Sequence, residues 1–107
     1  MDLGAERILL ADRGSERIAV EVKSFLGDSD IVELEAALGQ YVLYDRILRK
    51  QDPGRTLWLA IPAYAWNSIF RETIGELLLQ EDFLRLIVID EEREEIDRWI
   101  PSNNGER

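Results

Sequence analysis

Apolar residues first fall into step at Ile8-Leu9-Leu10, the centre of a strand expected from Leu3 to Ala11. Arg13-Gly14-Ser15 is a turn signal, and a second strand follows from Arg17 to Phe25, where Ile18, Val20 and Val22 alternate with Ala19, Glu21 and Lys23. Two short strands split by such a turn read as a hairpin. Side chains two apart on a strand share a face. Glu21 and Lys23 are therefore neighbours, and the trio Ile18, Val20 and Val22 is expected to take the other face and the core.

The period then changes. Gly27-Asp28-Ser29-Asp30 makes a loop and offers Ser29 or Asp30 as an N-cap. A helix is expected from Ile31 to about Lys50, with Glu33 and Glu35 near its positive end. Leu34, Leu38, Tyr41, Asp45 and Leu48 lie along one side, and Ala36, Gln40, Leu43, Tyr44 and Ile47 along another. Asp52-Pro53-Gly54 ends the helix.

A third strand, Arg55 to Ile61, is apolar through its centre, as for an interior strand covered on both faces. Pro62 opens a helical stretch from Ala63 to about Glu81, with Trp66, Ile69, Phe70, Ile74, Leu77 and Leu78 on its apolar face and Gly75 weakening it. Leu84 to Asp90 is a fourth strand. Glu91-Glu92-Arg93 turns into a fifth, Glu95 to Ile100, which Pro101 stops. The order ββαβαββ, with a crossover between the second and third strands, predicts an α/β fold with a mixed β-sheet flanked by helices. One domain spans residues 1–101, and residues 102–107 form a flexible tail.

Composition narrows the chemistry. With 46% apolar and 33% charged residues the chain is globular rather than disordered. Cysteine is absent, which excludes disulfides, thiolate metal sites and a cysteine nucleophile. Histidine is absent too, which removes imidazole acid–base catalysis, the serine–histidine–aspartate triad and histidine-ligated zinc. Any metal has to be held by oxygens, which points to magnesium, manganese or calcium. A net charge of −9 opposes non-specific attraction to nucleic acid. The apolar runs are too short to span a membrane, and the acids among the first six residues are unlike a signal peptide, so a soluble, cytoplasmic protein without membrane contact is expected.

Taken alone, Glu21 and Lys23 read as an exposed ion pair worth roughly 0–1 kcal/mol. The sharper reading joins them to Asp2 on the preceding strand: two carboxylates hold a divalent cation, and a lysine on the same face orients or activates its water or offsets phosphodiester charge. Gln40 and Tyr44, four apart on the next helix, share a face. A glutamine buried without partners costs roughly 1–3 kcal/mol, so its place in an apolar stripe needs a reason. Gln40 satisfies a strand end or the Ser24–Phe25 backbone, or it faces the same cleft as Lys23. Other clusters are weaker: Glu91, Glu92, Glu94 and Glu95 read as a solvated acidic turn, and Trp58, Trp66 and Trp99 as core or interface packing. Arg46, Arg49 and Lys50 suit the helix's negative terminus and are the best local candidate to touch a phosphate.

The runs DLGAERILLADRG, RIAVEVKSFLG, LEAALGQYVLYDRIL, LWLAIP and LRLIVIDEEREEIDRWI closely resemble the XisH family, the fdxN element excision controlling factors of cyanobacteria. The resemblance runs from Asp2 to about Ile100, and VEVKSFLG with ALGQYVLY is its most specific pair of blocks. That family is similar to the PD-(D/E)XK nucleases, and the resemblance implies a restriction-endonuclease-like core. It implies Asp2 as the first acid, Glu21-Val22-Lys23 as the E-x-K, and Gln40 with Tyr44 as the Q-x-x-x-Y of the RecB-like branch. Asp2 and Glu21 would bind Mg or Mn in phosphodiester hydrolysis, with DNA as the substrate.

Family members carry further residues before the position of Asp2, including a first helix on the sheet. A core lacking the usual N-terminal helix is therefore expected here, with a sheet face exposed or filled by another subunit and a homo-oligomer as the consequence. The family's biology implies control of DNA excision beside a recombinase and an XisI-type partner. Two readings follow: a metal-dependent, endonuclease-like excision factor, or a non-catalytic interaction subunit that keeps the fold and binds an XisI-type protein or itself.

Overall fold

The structure, a computed structural model, describes residues 8–71, 73–80 and 83–101, with Thr73 and Ile74 described by their backbone alone. The elements are β1 (Ile8–Arg13), β2 (Glu16–Val22), α1 (Asp30–Gln51), β3 (Arg55–Pro62), α2 (Ala63–Ser68), α3 (Thr73–Leu79), β4 (Leu86–Asp90) and β5 (Glu95–Ile100). The five strands form one sheet in the order β1-β2-β3-β4-β5. The outer pairs β1/β2 and β4/β5 are antiparallel, and β2/β3 and β3/β4 are parallel. This is the mixed α/β sheet that the element order predicts. Asp2, the front of the expected first strand and the tail at 102–107 lie outside the described residues.

Local chemistry sets the boundaries. Gly14, at φ 62, adopts the left-handed conformation that a two-residue hairpin turn requires, and Arg13 pairs with Glu16 across it. Ser29 is the N-cap of α1: its Oγ accepts from the Val32 N–H at 3.3 Å. Asp30 and Glu33 occupy the first turn, Arg49 and Lys50 the last, each sign opposing the helix dipole. At the far end the Asp52 N–H donates to the Leu48 carbonyl at 2.7 Å.

The expected elements are modified in two places. The second strand ends at Val22 rather than Phe25, because Phe25 takes a left-handed φ of 57 that no strand accommodates. The single helix expected from Ala63 is two, α2 and α3, separated by a turn at residues 69–71. Gly75 allows this break: a Cβ there would overlap the Phe70 backbone, so the first turn of α3 sits hard against the turn at residues 69–71.

A third difference concerns where the core lies. The main core contains Ala19, Leu57, Leu59, Ile61, Leu86 and Val88 from the sheet, and Leu34, Ala37, Tyr41, Tyr44 and Leu48 from α1. It therefore sits on the Ala19–Glu21–Lys23 face of β2. Ile18 instead joins Trp58, Ala60 and Ile87 in a smaller cluster on the opposite face, with Val20, Val22, Ile89 and Trp99 packed against it. The reason is the crossover: α1 must cover the strands it connects, and it covers the face with small Ala19.

On the face away from α1, a groove of ≈ 280 Å³ is lined by Leu9, Val20, Val22, Ala60, Ile87, Ile96 and Trp99 among others. Trp58 and Trp99 meet edge to face, with ring centroids 4.9 Å apart. The Arg13 guanidinium lies 3.8 Å from the centre of the Trp99 ring.

Candidate functional site

β2 is an interior strand, with Glu21 opposite Ile8 of β1 on one side and Leu59 of β3 on the other. That position fixes the Glu21 backbone from both sides and aims its side chain under α1. Glu21 is 1% exposed, the charged side chain that is buried among the described residues. Removing a carboxylate from water is costly and shifts the balance toward any cation or donor that can share its site. Lys23 follows at the strand's end, where its N–H donates to the Ala60 carbonyl at 3.0 Å. Its side chain is only 12% exposed, and Nζ lies 3.6 Å from Oε1 of Glu33, itself 22% exposed. The exposed surface pair expected from alternation alone is not what forms; both members of the E-x-K lie largely beneath the helix.

Over this face α1 presents Glu33, Ala37, Gln40 and Tyr44, spaced four, three and four residues apart, which is the repeat of one helical stripe. Ala37 and Tyr44 are buried and Gln40 is half-buried. The second stripe expected from the sequence does not hold together, because Ala36 and Leu43 face outward. α1 runs antiparallel to β2, as a β–α–β crossover requires. Glu33 thus stands at the Lys23 end, and Tyr44 lies about 16 Å further along the axis.

Two tyrosines on α1 behave differently. The Tyr41 hydroxyl donates to the Leu57 carbonyl and accepts from the Arg85 N–H, both at 3.3 Å, and burial pushes its pKa up. The Tyr44 hydroxyl is equally buried but has no hydrogen-bond partner among the described residues. An unsatisfied buried hydroxyl costs roughly 1–3 kcal/mol, so it is a group available to a water or ligand in this layer.

The loop between β2 and α1 is pinned from α2. The Tyr64 hydroxyl donates to the carbonyls of Ser24 and Phe25, the latter at 3.1 Å. Beyond the turn at Phe25, Gly27 comes against Glu33 so closely that a Cβ would overlap its carboxylate. Sequence reasoning assigned Glu33 to the helix dipole and missed its contact with Lys23. Its spacing to Gln40 and Tyr44 was the available signal.

The structure thus gathers Glu21, Lys23, Gln40 and Tyr44 on one face, while Asp2 lies outside the described residues. No group of three or more carboxylates close enough to hold a metal ion occurs among the described residues. The acidic turn before β5 is exposed and folds around Asp90, whose Oδ1 accepts from the N–H groups of Glu92 and Arg93 at 3.1 and 3.2 Å. In the basic helix end, Arg49 is engaged by Asp45 at 2.9 Å. No described helix is long and apolar enough to cross a membrane.

Residues 1–97 match the family model described as XisH protein. The chain belongs to the XisH family. Two solved structures are similar to this XisH-family chain. One, an XisH family protein from Nostoc punctiforme PCC 73102, is 38% identical with a TM-score of 0.80, covering 86% of this chain and 73% of that one. The other, an fdxN element excision controlling factor protein from Anabaena variabilis, is 39% identical with a TM-score of 0.80, covering 87% and 73%. No curated protein matches the chain.

Proposed function

We propose that this XisH-family chain is an excision controlling factor of the fdxN-element type whose β2–α1 layer is a nuclease-type site acting on DNA phosphodiesters. The observation that carries this reading is the burial of Glu21 at 1% exposure, two residues from a lysine whose side chain is only 12% exposed. Folding leaves a carboxylate in such a place at a cost, and an E-x-K on an interior strand fits a cation and a phosphate.

The donor chemistry suits a hard cation, since a chain without histidine or cysteine offers oxygens alone. Glu21 would hold Mg or Mn together with Asp2. When bound, the cation would polarise the phosphodiester and its attacking water. Lys23, held at the mouth of the site, would neutralise charge on the phosphate or take a proton from the water. Gln40 and Tyr44 would orient the phosphate or ordered water from above, Tyr44 through its hydroxyl. Manganese-dependent nicking of plasmid or branched DNA, lost in both Glu21→Ala and Lys23→Ala, is the expected result. Manganese titration heat that Glu21→Ala leaves unchanged would sink the metal site.

A second reading is a non-catalytic subunit that binds an XisI-type protein or another copy of itself. The apolar groove on the face away from α1 favours it. Light scattering behind gel filtration separates a stable dimer from a monomer, and Val20→Glu, aimed into that groove, is expected to dissociate the dimer. A wild-type chain that stays monomeric would count against self-association.

A further inference from the structure

The geometry points to Glu33 as the positioning residue for Lys23, with Gly27 kept free of a side chain so that the Glu33 carboxylate can reach it. The inference rests on the E-x-K reading above and gives that site a member from α1. Three observations converge on it. The Lys23 ammonium and Glu33 carboxylate lie 3.6 Å apart, with side chains 12% and 22% exposed. They belong to different elements, ten residues apart across a loop, so the contact is not the routine neighbour pairing of a helix surface. Gly27 abuts the same carboxylate so closely that any Cβ would displace it.

The loop is itself held where this matters. Tyr64 grips the Ser24 and Phe25 carbonyls, and Phe25 adopts a left-handed φ of 57 to make the turn toward Gly27. One wall of the site, from α2 through the loop to α1, therefore fixes where the Lys23 side chain ends. An ammonium on a four-carbon stem has rotamer freedom that must be removed before it can face a phosphate. Glu33 meets the ammonium from the opposing helix, 3.6 Å away, and the Lys23 side chain is left only 12% exposed.

The bland role for Glu33 is favourable charge in the first turn of α1. The two roles separate cleanly. Glu33→Asp keeps the first-turn charge but withdraws the carboxylate by one methylene, and Gly27→Ala leaves both charged groups intact while pushing them apart. The lysines of this chain are Lys23 and Lys50, so each can report against the other. Under limiting acetic anhydride, with peptide mapping by mass spectrometry, the Lys23:Lys50 acetylation ratio is expected to rise roughly threefold or more in Glu33→Gln, Glu33→Asp and Gly27→Ala. Glu35→Gln, a neighbouring exposed acid, should leave it unchanged. A ratio that stays at the wild-type value in Glu33→Asp and Gly27→Ala would overturn the inference. Manganese-dependent cleavage by the wild-type chain tests the nuclease reading on its own, so loss of one result does not remove the other. Where cleavage is seen, the three variants should lower kcat more than they raise KM for DNA.

Discussion

The Tyr41 hydroxyl accepts from the Arg85 N–H and donates to the Leu57 carbonyl, both at 3.3 Å, so one side chain of α1 joins β3 to the segment entering β4. Tyr44, one turn on, is as deeply buried without such a partner among the described residues.

Tyr41→Phe leaves a buried carbonyl and N–H without their partner and is expected to cost roughly 1–3 kcal/mol. Tyr44→Phe removes a hydroxyl that no described group satisfies and should leave stability unchanged or raised, while impairing any DNA cleavage. Urea unfolding measures both, and equal losses for the two variants would contradict the assignment.

The response to acid is tied to Asp52. Its carboxylate accepts from Arg55 Nε at 2.9 Å and from Arg17 at 2.8 Å, and these bonds, Arg55's first, hold its pKa below the ordinary value of 3.8. A lowered folded-state pKa contributes stability that is present above the unfolded value and lost as pH falls through the folded one. The urea midpoint should therefore decline below about pH 4, and Asp52→Asn should make that part of the decline shallower. Tyr41 acts at the other end. Burial raises its pKa above 10.0, so its contribution holds below pH 10 and is lost as pH rises through the raised value.

Gly75→Ala should be far more damaging than a glycine-to-alanine change inside a helix normally is. Alanine is the better helix former, but here its methyl group would enter the Phe70 backbone, which cannot swing aside like a side-chain tip. A loss of roughly 1–3 kcal/mol is expected in thermal or urea unfolding. A stabilised variant would show that α3 does not seat against the Phe70 turn.

Arg13→Ala removes the cation lying over Trp99 and within 5.4 Å of the Trp58 ring centre. The expected cost is about 0.5–1 kcal/mol, because the guanidinium is only partly desolvated. Tryptophan emission should change with it, since Trp58 and Trp99 lose their common neighbour. An unchanged spectrum would place Arg13 elsewhere.

Much of the fold was legible because its signals are local. Gly14 in a hairpin turn, Ser29 before an acidic first turn and Pro53-Gly54 after a basic last turn each act through neighbours in sequence, and each marks a boundary close to the observed one. The face that becomes the core was not legible. Alternation separates Ile18, Val20 and Val22 from Ala19, Glu21 and Lys23, but it cannot say which set a distant helix will cover. Polarity pointed the wrong way because the covered face carries the candidate site. The α2–α3 break was hidden for a similar reason: the apolar repeat continues through it, and only the packing of Gly75 on Phe70 interrupts the axis. Gln40 and Tyr44 could be found by their four-residue spacing. Glu33 shares that spacing, but its first-turn position has an ordinary explanation, and only the contact with Lys23 sets it apart.

The order of strands in the sheet also has a kinetic consequence. Among the described residues each strand after β1 pairs with its predecessor in the sequence, so none of them has to be inserted between two that have already joined. During synthesis the sheet can grow from the β1 edge by simple addition, with two hairpin closures at the ends and two longer crossovers between. The first crossover is the slow one, because β2 waits for all of α1 before β3 arrives. Until then the strand bearing Glu21 and Lys23 has an open edge, and its charges guard it against pairing with another nascent chain.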